Sequence, residues 1–262
     1  MGGERVAVVG LGDLGLAVAR RLHEVGVEVV GIDGDAGRRR LWEEVSGREA
    51  LADVAALATA AIARAFVCVR LTAQAEAVLA DLARLPSAEA IVAYLLTTLE
   101  PAFARGLAER NGPPRAVESP ISGGRGGAER GDLTVLLGGA AALGDAEFWR
   151  ATLAARAFEF PRPGDATLAK LLNNTLAAYN AYAFARVVEL ADGAGLDAAR
   201  CAEVMRAGSG ASWMASHFDA LVDDLLPKDA ALLAAELGPL PAIDLGDGDG
   251  LLRALARART LV

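Results

Sequence analysis

The first 160 residues alternate between short runs rich in apolar and β-branched residues and longer stretches with helical periodicity. This alternation is typical of a parallel sheet whose strands are joined by crossover helices. After Pro161 and Pro163 no strand-like run returns, and segments rich in alanine and leucine continue to the end. The sequence therefore predicts an α/β domain with a doubly wound, mostly parallel sheet over residues 1–162, followed by an all-α domain over residues 163–262. The predicted strands are VAVV at 6–9, VEVVGI at 27–32, AFVCV at 65–69, AIVAYL at 90–95, RAVE at 115–118, LTVLL at 133–137 and AFEF at 157–160.

The composition of the chain bears on which kinds of molecule it binds. Lys and Arg number 26 against 34 Asp and Glu, a net charge of −8 that is spread along the chain, so nothing favours binding to nucleic acid or an anionic membrane. The uncharged run at 54–63 is far shorter than the ~20 residues that cross a bilayer. Cys68 and Cys201 are expected to be free thiols of a reducing compartment. We expect a cytoplasmic protein whose partners are small molecules or copies of itself.

A glycine-rich motif follows the first predicted strand directly and precedes a helical stretch at 14–25. In this context the first glycine permits a tight turn, the second lets the backbone approach a pyrophosphate, and the third lets the helix pack on the strand. Asp33 ends the second strand, 18 residues after the last glycine. At this position an acidic side chain accepts a hydrogen bond from the ribose 2′-hydroxyl of NAD. The pattern predicts a dinucleotide-binding Rossmann domain. Its predicted cofactor residues are Gly10, Leu11, Gly12, Asp13, Leu14, Gly15 and Asp33.

The residues after Asp33 bear on the choice between NAD and NADP. A 2′-phosphate needs a cation at this position and is repelled by a carboxylate, and Asp33 is followed by Gly34. The sequence therefore favours NAD. Arg38, Arg39 and Arg40 leave NADP open if the loop folds back, although a solvated helix face is the simpler interpretation.

A second motif, Glu118 to Gly124, reads ESPISGG. Ser122 offers a hydroxyl, and Gly123 and Gly124 offer unobstructed backbone N–H groups at the start of a helix. This combination suits a carboxylate. The alternative is a flexible glycine loop without a ligand.

A third motif lies in a long helix predicted from Asp165, its expected N-cap, to Ala191. Lys170 and Asn174 are four residues apart and project from one face of this helix. A lysine in so apolar a helix is costly unless it has a partner or a function, although it could also snorkel to an exposed edge. Because the helix is apolar around its circumference, a second subunit is expected to cover part of it.

Together these motifs resemble the β-hydroxyacid dehydrogenase family, which includes 3-hydroxyisobutyrate dehydrogenase, tartronate semialdehyde reductase and, more distantly, 6-phosphogluconate dehydrogenase. The resemblance runs in order along nearly the whole chain. It rests on GLGDLG at 10–15, Thr98 in LLTTLEP, PISGG at 120–124, KLLNN at 170–174, GASW at 210–213, and Lys228 with Asp229.

The resemblance implies a Rossmann domain followed by a helical domain that dimerises, with NAD(P)-linked oxidation of a small β-hydroxyacid, or reduction of a semialdehyde, in the cleft between them. It implies that Lys170 is the general acid and base and that Asn174 orients the substrate. Ser122, Gly123 and Gly124 would hold the substrate carboxylate. Thr98 would face the nicotinamide, and Lys228 would lie near the nicotinamide or the substrate.

Several positions depart from the family pattern. Ala166 and Ala211 stand where many relatives have glycine and a polar residue, and the segment after Asp229 lacks a helix that relatives usually carry, so the dimer geometry is open. The run Asp244 to Gly250 lacks the final glutamate of a calcium loop, and no metal is expected. Two rival functions remain. One is an imine reductase using NADPH, which usually has an acid or a tyrosine in place of the lysine, and the other is a non-catalytic dinucleotide-binding protein.

Overall fold

A computed structural model describes residues 5–110, 112–139, 145–220, 225–244 and 248–260. The strands are β1 (Arg5–Val9), β2 (Glu28–Ile32), β3 (Arg64–Val67), β4 (Val92–Leu95), β5 (Arg115–Glu118), β6 (Ile121–Ser122), β7 (Leu133–Gly138) and β8 (Ala154–Phe160). The α-helices are α1 (Asp13–Glu24), α2 (Ala36–Ser46), α3 (Thr72–Leu82), α4 (Pro101–Gly106), α5 (Gly124–Arg130), α6 (Ala146–Thr152), α7 (Asp165–Gly193), α8 (Ala198–Ala207), α9 (Trp213–Ser216), α10 (Leu225–Leu237) and α11 (Gly248–Arg259).

The strands form one sheet in the order β2-β1-β3-β4-β5-β7-β6, with β8 also paired to β7. Strands β1 to β5 pair in parallel, whereas β7 is antiparallel to β5 and β6. The predicted mostly parallel α/β sheet is confirmed. Sequence analysis missed β6, because two residues are too few to show a strand pattern. Cys68, expected within a strand, lies just beyond the end of β3 and is free, as is Cys201 in α8.

The sheet has a hydrophobic core on each of its two faces, and neighbouring residues of a strand pack into opposite cores. Val6 and Val8 pack with Leu22 of α1 in the first core, while Ala7 and Val9 pack with Leu79 of α3 in the second. Side chains alternate between faces along a strand, so a strand covered on both sides must be apolar throughout. This explains the apolar runs of the sequence. Because β1 to β5 pair in parallel, their carboxyl ends lie together at one edge of the sheet.

The helical part of the chain is organised around α7, which has 29 residues. Its N-cap is Gly164, with a φ of 87°, rather than Asp165 as expected, because the chain turns from Pro163 into the helix through a left-handed residue. Helices α8, α9 and α10 pack against α7. Several large side chains of α7 nevertheless stay 45–69% exposed in the single chain, namely Leu172, Leu176, Tyr182, Val187 and Leu190.

The remaining sequence expectations concern the carboxyl-terminal part of the chain. Helix α10 carries Lys228 and Asp229, and α11 follows it. Of the acidic run at 244–250, residues 245–247 lie outside the described part of the chain. In the described part, none of the helices combines the length and the apolar character needed to cross a membrane.

Candidate active site

The glycine motif forms the turn between β1 and α1. Gly10 has a φ of 93°, and a Cβ on it would lie 2.5 Å from the carbonyl oxygen of Cys68. A Cβ on Gly15 would lie 1.8 Å from the carbonyl oxygen of Gly10, so the first turn of α1 rests directly on the loop. Only glycine fits at these two positions, as the motif predicts.

The amino end of α1 has the properties of an anion site. Gly12 is its N-cap, and none of the described side chains caps its first turn. Asp13 is exposed and Leu14 half-buried, so the first-turn backbone N–H groups lie at the open edge of the sheet. Uncapped N–H groups and the positive end of the helix dipole fit a pyrophosphate. These residues are therefore suited to hold a dinucleotide.

Asp33 follows β2 and is tied to the glycine loop. Its Oδ2 accepts a hydrogen bond of 2.7 Å from the Leu11 backbone N–H, and its Oδ1 accepts one of 2.8 Å from Asp35 N–H. The carboxylate is thus fixed beside the loop, with 10% of its side chain exposed. The structure brings Asp33 and the glycine motif together, as the sequence predicts.

The arginines of α2 do not form a purely solvated face. The guanidinium of Arg38 lies 3.7 Å from Asp33 Oδ2, and a Cβ on Gly12 would lie 3.5 Å from the same guanidinium. Arg39 donates to the backbone carbonyls of Asp33 and Gly34. The helix places them there because Asp35 caps it, accepting from the N–H groups of Gly37 and Arg38. A cation therefore stands beside the carboxylate that the sequence associates with NAD.

The predicted carboxylate-binding residues lie at the same edge of the sheet. Ser122 ends β6, Gly123 caps α5 with a φ of 116°, and Gly124 begins α5. Ser122 is half-buried and Gly124 is exposed. Thr98 is half-buried in the loop after β4.

Lys170 and Asn174 form the polar centre of α7. Lys170 is 7% exposed, and its Nζ donates a hydrogen bond of 2.8 Å to Asn174 Oδ1. Asn174 Nδ2 in turn donates one of 2.6 Å to Asp229 Oδ2. Lys228 Nζ lies 3.5 Å from the other oxygen of Asp229. The structure therefore joins Lys170, Asn174 and Lys228, three residues that the sequence singled out, through Asp229.

Asp229 is a candidate site residue to which the sequence analysis gave no role. It is fully buried, although it follows the half-exposed Lys228 in a helix rich in alanine and leucine. Because its carboxylate accepts the amide N–H of Asn174, the carbonyl oxygen of Asn174 is turned toward Lys170. The signal in the sequence was an aspartate among apolar residues of α10. Its partner, Asn174 of α7, lies 55 residues earlier in the chain, so the sequence did not connect the two.

The surroundings of Lys170 change its acidity. Burial lowers the pKa of Lys170 to about 8, and the positive charge of Lys228 adds to this, while the carboxylate of Asp229 opposes it. An amine with such a pKa exchanges a proton near neutral pH. The buried lysine is thus equipped for general acid and base chemistry.

The other candidates contribute less. Trp213 is 57% exposed and stacks on the His217 ring at 4.1 Å, while the neighbouring Met214 is buried, so Met214 rather than Trp213 provides the packing. The described residues contain no group of three or more His, Cys, Asp or Glu side chains that could hold a metal ion.

Comparisons with known proteins identify relatives of both parts of the chain. Residues 5–149, more than half of the chain, match the family model of the NAD binding domain of 6-phosphogluconate dehydrogenase. Residues 164–231 match the model described as NAD-binding of NADP-dependent 3-hydroxyisobutyrate dehydrogenase.

Individual relatives are more distant. An NAD-dependent L-serine dehydrogenase of Pseudomonas aeruginosa is 34% identical over 120 residues, which are 45% of this chain and 40% of that protein. The crystal structure of a 3-hydroxyisobutyrate dehydrogenase from Salmonella typhimurium superposes with a TM-score of 0.78 at 24% identity, covering 91% of this chain and 90% of that one. A Streptomyces aurantiacus imine reductase superposes with a TM-score of 0.64 at 22% identity, covering 83% and 78%. At these identities the two structures show a shared fold.

The Rossmann domain, the long helix that follows it and the two family models agree with one another. The chain belongs to the β-hydroxyacid dehydrogenase family and has its NAD(P)-binding fold.

Proposed function

We propose that the protein is an NAD(P)-dependent oxidoreductase that transfers a hydride between a nicotinamide cofactor and a small β-hydroxyacid or the corresponding semialdehyde. The observation that carries this proposal is the buried amine of Lys170, held by Asn174 and set beside Asp229. A general acid and base of this kind is what alcohol oxidation requires, because the hydroxyl proton must leave as hydride leaves the carbon.

The chain's own residues would divide the reaction between them. The nicotinamide, when bound, accepts or supplies the hydride. Lys170 takes the hydroxyl proton in oxidation and returns it in reduction, and its burial lowers the pKa enough for both. Asn174 orients the substrate and holds the amine, because its amide is itself fixed by Asp229. Ser122 with the N–H groups of Gly123 and Gly124 receives the substrate carboxylate.

The cofactor is proposed to be NAD in preference to NADP. Gly10 to Gly15 would hold the pyrophosphate, Asp33 the adenosine ribose, and Thr98 and Lys228 the nicotinamide end. The carboxylate of Asp33 repels a 2′-phosphate, whereas Arg38 beside it would attract one. Asp33 dominates, because it is fixed by two backbone hydrogen bonds while the side chain of Arg38 is 54% exposed.

Replacing Asp33 with alanine is expected to weaken NAD binding and to shift the NAD to NADP preference toward NADP by about 10- to 100-fold, the value of a hydrogen bond to a charged group. Steady-state kcat/KM for both cofactors measures this shift. In the matched control, Arg38 is replaced as well. This second substitution should abolish the gain in kcat/KM with NADP without restoring kcat/KM with NAD. Unchanged selectivity in Asp33→Ala would mean that the acid does not face the ribose.

The domain and subunit organisation follows from the same family relationship. We infer that residues 1–162 bind the cofactor and that residues 163–262 complete the substrate cleft. The exposed apolar side chains of α7 support a homodimer through the helical part. Sedimentation velocity of the purified chain measures this state directly.

An imine reductase is the second candidate, because one superposes on the chain. It fits less well, since Lys170 occupies the position where such enzymes usually have an acid or a tyrosine. The deciding experiment is a panel of short β-hydroxyacids, semialdehydes and cyclic imines assayed with NAD(H) and NADP(H) by nicotinamide absorbance. Turnover of a β-hydroxyacid such as serine supports the proposal. Turnover of imines alone would favour the second candidate, and cofactor binding without any turnover would favour a non-catalytic protein.

A further inference from the structure

A second buried carboxylate lies outside the polar centre of α7. Glu118, the last residue of β5, is 2% exposed. Its Oε1 accepts a hydrogen bond of 2.6 Å from Gly164 N–H. Its Oε2 accepts two from Thr167, 2.9 Å from the backbone N–H and 2.6 Å from the side-chain hydroxyl. Through these three hydrogen bonds, Glu118 connects the sheet to the first turn of α7.

The surrounding chain is shaped to admit this carboxylate. Gly138 of β7 stands opposite Glu118, and a Cβ on it would lie 2.1 Å from Oε1 and 2.2 Å from Cγ. The helix itself supplies no side-chain cap, since its N-cap residue is Gly164. Glu118 thus takes the place of an N-cap side chain at the positive end of a long helix.

The turn that Glu118 binds lies next to Lys170, the proposed catalytic residue. Thr167 and Lys170 are three residues apart in α7 and so are neighbours on one face of it. On the other side, Glu118 precedes Ser122 by four residues, in the segment that turns from β5 into β6. The carboxylate consequently links the segment of the proposed substrate serine to the turn of the proposed proton-transferring lysine.

We propose that Glu118 is a positioning residue that fixes α7 relative to the sheet and thereby sets the place of the Lys170 amine in the cleft. This inference rests on the proposed function, in which Lys170 transfers the substrate proton. Its physical basis is that proton transfer needs donor and acceptor within hydrogen-bond reach, so that a displacement of about 1 Å costs about 100-fold in rate.

A purely structural cap is the alternative, and the two differ in what they change. A cap that only stabilises the helix lowers the melting temperature when it is removed and leaves the site of the folded enzyme intact. A positioning residue also changes the environment of Lys170. That environment consists of the burial of the amine and the charges of Asp229 and Lys228, and a loosened first turn would admit water to it.

The test compares Glu118→Gln with the wild-type holoenzyme, using NAD(P) and the best substrate of the panel. The amide keeps the size of the side chain but turns an N–H group toward the donors of Gly164 or Thr167. We expect kcat to fall by about 10- to 100-fold while KM for the cofactor stays within about twofold.

A second measurement does not depend on turnover. Trace labelling with acetic anhydride, followed by mass spectrometry of the peptide that contains Lys170, gives the pH midpoint of that amine. The wild-type midpoint is expected at the pKa of about 8. In Glu118→Gln it should move up toward that of an exposed lysine, because hydration favours the charged form.

Three further variants make the test specific. Thr167→Val removes one of the three hydrogen bonds and should shift both readouts in the same direction by less, and Thr167→Ser should restore them. Thr167→Val also carries the test if Glu118→Gln does not fold. Asp197→Ala is the control for loss of a structural cap, because Asp197 caps α8 by accepting from Arg200 N–H; it should lower the melting temperature and change neither readout.

The proposal is overturned if Glu118→Gln and Thr167→Val lower the melting temperature but leave kcat and the labelling midpoint of Lys170 unchanged. Failure of the proposed function is a different result. In that case Lys170→Ala would keep full activity, and the labelling midpoint would still report whether Glu118 positions the amine.

Discussion

Lys170→Ala is expected to lower kcat by about 10²- to 10⁴-fold, the usual contribution of a general acid and base. The effect should fall on kcat and kcat/KM alike, because the amine acts on the substrate hydroxyl as hydride is transferred. Cofactor affinity, measured by nicotinamide fluorescence, should be nearly unchanged, since the glycine loop that would hold the pyrophosphate lies between β1 and α1 and not in α7. The substitution leaves Asn174 and Asp229 bonded to each other.

Lys170→Arg provides the control, because it keeps the charge and replaces the amine with a group that does not release a proton near neutral pH. It should be nearly as inactive as Lys170→Ala. Undiminished turnover in either variant would remove the lysine from the mechanism. Such a result would also remove the main reason for choosing a dehydrogenase over the rival functions.

The pH dependence of the wild-type enzyme gives an independent check. Because the pKa of Lys170 is lowered to about 8, the amine is mostly charged below this pH and neutral above it. Oxidation needs the neutral base, so its kcat/KM should rise with pH and level off above about 8. Reduction needs the charged acid and should fall over the same interval. Two profiles without these opposite slopes would contradict the assignment.

The fold and the cofactor loop were predictable because their signals are local. Strands β1 to β4 consist mostly of apolar residues, since they are buried on both faces of the sheet. Gly15 is imposed by a contact within one strand–turn–helix unit, with the carbonyl group of Gly10, and Gly10 is required by its own φ of 93° in the turn. Lys170 and Asn174 were visible together because they are one helical turn apart.

The partners of these residues were not predictable in the same way. Asp229 meets Asn174 only after α10 packs along α7, and Glu118 reaches α7 only because Gly138 leaves space on the neighbouring strand. The approach of Arg38 to Asp33 depends on the cap that Asp35 gives to α2. Each of these contacts depends on how separate elements pack, which the periodicity of a single segment does not contain.

Gly15→Ala is expected to weaken binding of the cofactor. The added Cβ would lie 1.8 Å from the carbonyl oxygen of Gly10 and 3.0 Å from Cβ of Cys68. Both the oxygen and the first turn of α1 are backbone, so neither can rotate away and the helix must move outward. Overpacking of this kind costs about 1–3 kcal/mol of stability. It should also withdraw the N–H groups of α1 from the pyrophosphate.

NAD(H) affinity should therefore fall by about 10- to 100-fold, the value of one hydrogen bond to a charged group, together with a lower melting temperature. Both are measured by titrating NADH fluorescence and by thermal unfolding with and without NADH. Gly106→Ala is the matched control, because a Cβ on Gly106 meets nothing within 4 Å, and it should leave affinity and stability essentially unchanged. If Gly15→Ala bound NADH as tightly as the wild type, the turn between β1 and α1 would not be the pyrophosphate site. The dinucleotide would then have to bind without the close contact that the glycine permits.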